Sequence, residues 1–582
     1  MARWTMTAPP YDQVNASRMM ADVEALARWV RLSGTADEME AVRYAQKRLR
    51  AAGCQTRVIL HDAFISLPGA ASLQVLTDGA AAAVSCITHS FAAPTGPGGL
   101  ERAAVYAAGP ADLTGVAAGR IAVVDGLASP AVVRAVEMAG AAGLVCLNRD
   151  PYVHEMIVST VWGSPTLEDL AALPKIPVVS VAGRDAGPVR EAARTGARLR
   201  LFAEVDTRWR QTPILIGELP GAVEETFVLF SGHLDSWHRG AMDNGGANAT
   251  MLELARVMGS VRRYRGVRFA FWSGHSHGRY SGSTWYADHY WHELDARCVL
   301  HLNVDSTGGR GSILNRHAYA MPETRGVADA VIRELAGGRF AGQRVGRMGD
   351  QSFLGVGLPS LLMDISEQEG TSPEASVDFS AFSGGGTGGL GWWWHTTEDT
   401  PDKIDPALLE RDARVYLGIL HTFVTSPVLP LDYGATAREW LKRLGEVRAA
   451  SPWADVKGAL AEARRLVRGA EALRRHAQAV AASGDRAGIR AANAALMAMG
   501  RALIPVDFTR AGRFGHDPAL PQSDPPHLAA LRALAHASGD EARHLAVRAV
   551  RDLNAIRHAL ATAAQAAEAV VSAQRAGRRG QR

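Results

Sequence analysis

The stretch FVLFSGHLDSWHRGAMDNGGANATMLELARVM, residues 227–258, decides the fold class. Its apolar start, Phe227–Phe230, predicts a buried strand, and the second half of the stretch has helical periodicity. The glycine-rich loop between them carries His233, Asp235 and Asp243. In an open α/β sheet, ligands bind where loops leave the carboxyl ends of the strands. The stretch therefore predicts a strand–loop–helix unit with a binding site in its loop.

Further apolar runs downstream also lead into polar loops. Three of them are VRFAFWSG (267–274), VLHLNV (299–304) and PSLLMDI (359–365), and WWWHTTEDTPDKID supplies another polar loop. One histidine or aspartate after a strand has little weight, but several strand ends that each offer such a residue predict a site. The candidates at these positions are His275, His277, Asp305, Glu367, Glu369 and His395.

The alternation of strands and helices predicts an α/β fold with a mixed, mostly parallel sheet flanked by helices. A length of 582 residues suits about three or four domains. Residues 76–208 interrupt the pattern as an inserted α/β domain would. The chain from about 433 is rich in Ala, Leu and Arg at helical spacing, which predicts a packed bundle. The predicted division is 1–75, 76–208, 209–432 and 433–582.

The composition excludes some classes of function. With 47% hydrophobic residues, 21% charged residues and a net charge of +4, the chain is ordinary for a globular protein. The terminal RAGRRGQR resembles a solvated tail more than a nucleic-acid patch, so we expect no nucleic-acid partner. Four scattered cysteines suit a reducing compartment and argue against cysteine ligands. The start lacks a signal-peptide pattern and no apolar stretch is long enough for a bilayer, so we expect a cytoplasmic protein without membrane contact.

Two histidines and two aspartates on these loops, His233, Asp243, Asp305 and His395, would suit zinc or a similar divalent ion. Taken alone, each would be an ordinary loop residue, but the combination favours a metal site. Asp235 stands two positions from His233 and would orient the imidazole rather than bind the same ion. A carboxylate bridging two ions about 3.5–4 Å apart would support metal-assisted hydrolysis.

The glycine-rich SGGGTGGLGWWW contains a formal G-x-G-x-x-G pattern at residues 386–391. No helix is predicted after it, so a dinucleotide site is a weak interpretation. We interpret it as a flexible loop that carries Trp392–Trp394, which are either core residues or the wall of a cavity.

The blocks GHLDSW, GAMDNGGANATMLELAR, LNVDSTGG, DQSF and WHTTEDTPDKI together resemble the aminopeptidase and glutamate carboxypeptidase family of dizinc exopeptidases. Residues 76–208 resemble that family's protease-associated domain. NAALMAMGRALIPVDF resembles the helical dimerisation domain of its glutamate carboxypeptidase and transferrin receptor branch. The resemblance implies a phosphorylase/hydrolase-like fold, one or two zinc ions per chain, or another divalent metal, and a homodimer formed through the C-terminal helices.

The resemblance also implies a role for each candidate ligand. His233 and Asp305 would hold one zinc ion, and His395 would hold the second. Asp243 would bridge the two ions, and Asp235 would support His233 as a catalytic positioning residue.

The chain departs from the family at the loop WSGHSHGRYSGS. The family has two adjacent glutamates there, the first a general base and the second a zinc ligand. Counting forward from the strand puts His275 and Ser276 in their places, whereas counting back from the following Gly-Ser puts Ser276 and His277 there. We predict that His277 or His275 replaces the ligand and that the other histidine shuttles protons. Alternatively, Glu367 or Glu369 supplies the missing base.

These observations predict a metal-dependent hydrolase of the zinc exopeptidase type, which cleaves a small peptide or peptide-like amide with a metal-activated water. A binding protein built on an inactive peptidase scaffold, as in the transferrin receptor, is the main alternative. A different metal enzyme on the same ligands is a further one. No motif indicates which end of a substrate is recognised.

Overall fold

A twelve-stranded sheet runs through the chain. The computed structural model describes residues 4–77, 80–315, 318–361, 365–379, 390–450 and 455–580. The strands are β1 Gln55–Thr77, β2 Ala80–Val84, β3 Ile87–Thr88, β4 Leu100–Ala107, β5 Ile121–Asp125, β6 Gly143–Leu147, β7 Val178–Val181, β8 Arg198–Leu219, β9 Phe227–His233, β10 Gly266–Trp272, β11 Cys298–Asn303 and β12 Ser360–Leu361.

The sheet is mixed, with two parallel blocks. Its order is β12-β11-β9-β10-β8-β4-β5-β6-β7-β3, and β1 pairs with both β8 and β2. The strands β12, β11, β9 and β10 are parallel, as are β4 to β7. Every residue of β9, β10 and β11 is buried, because helices cover both faces of a parallel block. The predicted mixed α/β sheet is confirmed.

The long strands β1 and β8 join the two blocks. They pair antiparallel along most of their length, with an irregularity between Pro68 and Ala71. Beyond this irregularity, Leu73 of β1 and Leu201 of β8 pack in a hydrophobic cluster with residues of β5 to β7. This cluster is separate from the main core. Because β8 runs through residue 208, one chain segment belongs to both the predicted insert and the predicted core. The division into four domains remains a prediction.

Helices flank the sheet and make up the C-terminal part of the chain. Apolar faces of the C-terminal helices pack on one another and on the main core. The helices are α1 Ala16–Leu26, α2 Ala36–Ala51, α3 Pro130–Met138, α4 Ala186–Arg194, α5 Ala247–Ser260, α6 Ser281–His289, α7 Trp291–Arg297, α8 Arg325–Leu335, α9 Pro406–Thr425, α10 Tyr433–Ala450, α11 Lys457–Ser483, α12 Arg486–Phe508, α13 Ala529–Ala533 and α14 Gly539–Gly580.

The cysteines and helices bear on two sequence predictions. All four cysteines are unpaired, so the described structure holds no disulfide bond between them. Across the described ranges, every helix is too short or too polar to cross a lipid bilayer.

A buried carboxyl group joins the sheet region to the C-terminal helices. Glu323, just before α8, accepts a hydrogen bond from the Thr436 hydroxyl of α10 (2.7 Å), and its carbonyl accepts one from the Asp432 amide (2.9 Å). Burial raises the pKa of Glu323 to about 7. The side chain is therefore mostly neutral in the folded protein below neutral pH.

We expect Glu323→Gln to weaken the pH dependence of stability. A carboxyl whose pKa is raised on folding stabilises the fold fully below its ordinary pKa of 4.5, and this contribution is lost as the pH rises through about 7. Glutamine does not titrate, so the wild type should lose on the order of 1–3 kcal/mol more than the variant over this window. Urea unfolding at about pH 5 and about pH 8 measures this difference, and equal losses in both proteins would contradict it.

Candidate metal centre

The candidate ligands converge at the carboxyl ends of the parallel strands. His233 is the last residue of β9, and Asp305 follows β11 by two residues. Asp243 lies in the irregular turn that leads into α5. His395 lies in the turn after the tryptophan cluster. Because β10 and β11 both pair with β9 in parallel, their exit loops open at the same edge of the sheet.

Asp243 lies between two imidazoles. Its Oδ1 is 3.0 Å from His233 Nε2, and its Oδ2 is 2.9 Å from His395 Nε2. Asp305 Oδ2 lies 3.6 Å from His233 Nε2. All four residues are buried. The structure thus brings together the two histidines and two aspartates that the sequence singles out, with one carboxylate facing both rings.

The hydrogen bonds of the two histidines fit a cation between these groups. His233 Nδ1 lies 2.9 Å from the Asp235 carbonyl, and His395 Nδ1 lies 2.6 Å from the Glu155 carbonyl. A carbonyl only accepts, so each Nδ1 carries the proton and, in a neutral imidazole, each Nε2 is an acceptor. Both Nε2 atoms nevertheless approach carboxylate oxygens. His395 Nε2 also accepts a hydrogen bond from Trp237 Nε1 (3.2 Å), whereas His233 Nε2 is buried without a hydrogen-bond partner. Two nitrogens and two carboxylates in this arrangement fit zinc or a similar divalent ion.

The local charges also favour a cation. Burial lowers the pKa of His233, but Asp305, Asp235 and Asp243 outweigh it and raise that pKa well above its ordinary value. Burial raises the pKa of Asp243, but the imidazoles of His233 and His395 beside its two oxygens reverse this and hold that pKa well below its ordinary range. The centre therefore keeps ionised carboxylates inside the protein, where a charge needs a partner.

His275 stacks on His233 at this centre. The ring centroids are 3.8 Å apart and the planes differ by 14°. The ligand atoms of His233, His275 and Asp305 all lie within 4.8 Å of one another. A metal ion, however, lies in the plane of the imidazole ring that binds it. Because the two rings are stacked with nearly parallel planes, no point close to both rings lies in both planes. His233 and His275 are therefore poorly arranged to share one ion.

Asp350 holds the other side of the His275 ring. Its Oδ2 lies 2.9 Å from His275 Nδ1 and is buried. A carboxylate there fixes the proton on Nδ1, leaves Nε2 as the basic atom and stabilises the ring when it is protonated. His275 and Asp350 form a carboxylate–imidazole pair beside the metal ligands.

His277 is the second histidine of the loop, and its Nε2 is buried without a hydrogen-bond partner. Its Nδ1 lies 3.1 Å from Ser33 Oγ and 3.8 Å from Asp235 Oδ2, and its ring lies against Trp237. Asp235 accepts hydrogen bonds from the backbone amides of His275 and Ser276, at 3.3 and 3.1 Å. These bonds fix the loop with His275 towards the ligands. Among the described residues, no hydrogen bond or ion pair joins His277 to the four candidate ligands, and its role as a ligand stays a prediction.

Asp235 supports the centre in two ways. Its carbonyl accepts from His233 Nδ1, while its carboxylate lies 3.6 Å from the same nitrogen. The carboxylate accepts a hydrogen bond from Ser33 Oγ (2.8 Å) as well as those of the histidine loop. Asp235 thus orients His233 mainly through its backbone and orients the His275 loop through its side chain.

The structure does not place the two predicted glutamates with these ligands. Glu367 is buried and exchanges two backbone hydrogen bonds with Leu314, at 2.9 and 3.0 Å, and Glu369 is exposed. Neither belongs to the closely spaced groups of possible ligand atoms found among the described residues. The geometry gives no support to the expectation that one of them is the base.

The comparison with known proteins follows the same region. Residues 215–420 match the model of peptidase family M28. We call residues 215–420 the M28 domain after this match. The chain is similar to the aminopeptidase NAALADL1 of Mus musculus, with 28% identity over 24% of this chain and 20% of the relative. It is also similar to a probable glutamate carboxypeptidase, VP8 of Zea mays, with 26% identity over 50% of each chain.

The solved structures support the fold of the M28 domain. A zinc aminopeptidase from Bacillus subtilis matches with a TM-score of 0.56 and 20% identity, over 71% of this chain and 96% of that chain. The matched segments span about a fifth and a half of the two curated relatives' own lengths. The structural match shows the fold of this region.

Two aspartates of the M28 domain contribute to the centre without being singled out in the sequence. Asp350 contacts His275, and Asp399 accepts hydrogen bonds from the backbone amides of Met242 and Asp243, at 2.8 and 3.0 Å. Burial raises the pKa of Asp399 to about 7. Both residues lie in blocks that carry the family resemblance, DQSF and WHTTEDTPDKI. Membership of these blocks was the sequence feature that could have singled them out.

A segment from the predicted insert holds the His395 turn of the M28 domain. His154 Nδ1 lies 2.6 Å from the Trp394 carbonyl, and the Glu155 amide donates to the His395 carbonyl at 2.9 Å. With the bond from His395 Nδ1 to the Glu155 carbonyl, the turn is fixed on both sides of the ligand. No sequence motif marked this segment.

A cavity of about 340 Å³ opens onto the centre of the M28 domain, and Asp243, His275, Asp305 and His395 are among its lining residues. Trp394 also lines it, whereas Trp393 is almost fully buried, so the tryptophan cluster is partly cavity wall and partly core. Residues 386–389 of the formal G-x-G-x-x-G pattern lie outside the described residues.

Proposed function

We propose that this chain is a metal-dependent hydrolase that cleaves a peptide or peptide-like amide bond in a small substrate, as an exopeptidase does. One observation carries the proposal: in an M28 domain, two imidazole acceptors face the two oxygens of Asp243 at the bottom of a substrate-sized cavity. Acceptor nitrogens and carboxylate oxygens repel one another at these distances, so the arrangement is favourable when a cation binds between them. The similarity to an aminopeptidase and to a probable glutamate carboxypeptidase supports the same reaction type.

The ligands in this proposal are His233, Asp243, Asp305 and His395. When bound there, zinc or a similar divalent ion would polarise the scissile carbonyl and make a water molecule easier to deprotonate. Nδ1 of each histidine donates a hydrogen bond to a backbone carbonyl, which leaves the lone pair of Nε2 directed at the centre, and the Asp399 carboxylate orients Asp243 by accepting from its backbone amide. The chain's own part is to present these atoms in a fixed, mostly dehydrated cluster.

We assign the proton transfer to His275. It lines the cavity, and Asp350 holds its Nδ1, so Nε2 accepts a proton from the attacking water. The water oxygen then bonds to the carbonyl carbon of the amide. As the carbon–nitrogen bond breaks, His275 passes the proton to the leaving nitrogen, and Asp350 stabilises the positive ring in between. This histidine takes over the role of the absent glutamate base.

The proposed partner is a second copy of the chain, paired through the C-terminal helices. Val547 and Val550, three positions apart on α14, are 56% and 59% exposed and form an unpartnered apolar strip on this helix. Burying such side chains between two copies would be favourable. The resemblance of residues 493–508, in the neighbouring helix α12, to a dimerisation domain supports the same partner.

Removing the metal should remove the activity. Wild-type protein incubated with a mixture of small peptides and N-acyl amino acids is expected to release products, detected by mass spectrometry. Dialysis against a zinc chelator should lower the rate by about 100-fold or more, because the carbonyl and the water lose their electrophilic partner. Adding zinc should restore the rate. Hydrolysis that survives the chelator, or no hydrolysis with zinc present, would contradict the proposal.

A further inference from the structure

Two arginines line the cavity at the candidate centre, and their surroundings differ. Arg347 is fully engaged: it contacts the Asp517 carboxylate and the Phe508 carbonyl, and its Nε donates to Gln522 Oε1 at 3.2 Å. Within the described part of the chain, no carboxylate pairs with Arg279. Its Nη2 makes only a long contact of 3.5 Å with the Ala519 carbonyl, and its Nε is buried without a hydrogen-bond partner.

An unpaired guanidinium in this place is unusual. Arg279 is only 9% exposed, and an arginine stays charged in a protein. A buried charge is costly unless it is paired, and a guanidinium offers five donors in a planar fork that matches a carboxylate. The contact with the Tyr280 ring, 5.0 Å from the guanidinium carbon to the centroid, supplies no hydrogen-bond acceptor, and the long contact of Nη2 with the Ala519 carbonyl does not pair the charge. The structure therefore holds donors for an acceptor that the described chain does not supply.

The backbone fixes Arg279 at this position. Arg279 and Tyr280 have positive φ angles of 49° and 70°, which residues with a side chain rarely adopt. The Gly163 amide donates to the Arg279 carbonyl at 2.6 Å, and the Tyr280 ring packs against Trp162 at 4.4 Å. Such strained positions persist where the surroundings hold them and often occur at binding sites. The side chain is thus held on the cavity wall by a rigid turn.

We propose that Arg279 binds a carboxylate of the substrate in this cavity. This inference rests on the proposed function and deepens it: the substrate is a peptide-like amide with a free carboxylate close to the scissile bond. The cavity presents carboxylates and imidazoles for a cation at one part of its wall and an unpaired guanidinium at another. A molecule with both an amide carbonyl and a carboxylate satisfies both groups at once. The competing interpretation is that the Arg279 guanidinium binds no substrate and only offsets the charge of Asp243 and Asp305.

Matched pairs of substrates test this subsite. Dipeptides with a free C-terminal carboxylate are compared with the same dipeptides ending in a carboxamide, in the zinc-loaded protein. The wild type should prefer the acid in kcat/KM by about 10- to 100-fold, the effect of a charge-assisted hydrogen bond. Arg279→Gln should lose this preference, because its kcat/KM for the acid falls towards that for the carboxamide, and Arg279→Lys should retain part of the preference. Arg339→Gln, which removes an exposed arginine outside the cavity lining, should behave as the wild type.

A binding measurement separates this inference from the hydrolase proposal. N-acetylalanine and N-acetylalanine amide are titrated calorimetrically into the wild type and Arg279→Gln. If the wild type hydrolyses nothing but binds the acid in preference to the amide through Arg279, the subsite stands and the hydrolase proposal fails. If the wild type binds N-acetylalanine and N-acetylalanine amide with equal affinity, the subsite is overturned. An acid preference that survives in Arg279→Gln also overturns the subsite. An equal loss of kcat/KM for the acid and the carboxamide in that variant overturns it too, and would indicate that Arg279 only offsets charge.

Discussion

Replacing Asp243 by alanine is expected to abolish hydrolysis and metal binding together. Among the described residues, Asp243 is the one carboxylate that faces both His233 and His395, so its removal takes away the group between the two histidines. The rate should fall by about a thousand-fold or more, because the groups that polarise the carbonyl and deprotonate the water depend on the ion. Turnover of a small amide and metal content per chain, measured on the same preparation, check the result.

A buried aspartate outside the centre provides the control. Asp22 accepts hydrogen bonds from Tyr44 and Arg48, and its replacement by asparagine perturbs a buried polar cluster without touching the ligands. Asp22→Asn should keep its metal and most of its activity even if its melting temperature falls. A folded Asp243→Ala protein that keeps both metal and activity would show that Asp243 is not a ligand.

The second large effect is expected at the histidine loop. His275→Ala should lower kcat by about 10²- to 10⁴-fold, the usual contribution of a general base, while metal content stays at the wild-type value. Asp350→Asn should give a smaller loss of about 10- to 100-fold, because it weakens only the orientation and basicity of the ring. Stopped-time assays with elemental analysis of each variant measure both quantities.

His277→Ala is the matched control, since it removes the same side chain two positions along the loop. It should keep its metal and retain far more activity than His275→Ala, because its ring contacts Ser33, Asp235 and Trp237 rather than the ligands. Loss of metal in His275→Ala would make that residue a ligand instead of a base. Loss of metal in His277→Ala would restore the role that the sequence assigned to it.

The apolar runs make much of the fold predictable. The runs of β9, β10 and β11 are buried on both faces, so their sequence alone indicates a parallel block with its loops at one edge. His233, Asp243, Asp305 and His395 followed from their positions after such runs. Their roles as ligands are still predictions, but their proximity in the structure is what the pattern required.

The remaining features depend on contacts that no local pattern encodes. The two ways of aligning the histidine loop with the family differ by one residue, so the sequence does not decide between His275 and His277. Their positions depend on how the Asp235 carboxylate holds the loop. Asp350 lies 75 positions from His275, and His154 lies 240 positions from the Trp394 carbonyl that it contacts. The unpaired state of Arg279 likewise emerges only when the surrounding residues are known.

The most direct test of the metal centre is elemental mass spectrometry of wild-type protein purified without added metal. The structure predicts at least about one equivalent of zinc or a similar divalent ion per chain, held by the two histidines and two aspartates. A chain that carries no metal, and takes up none when zinc is added, would contradict this centre and leave a peptidase fold used for binding alone.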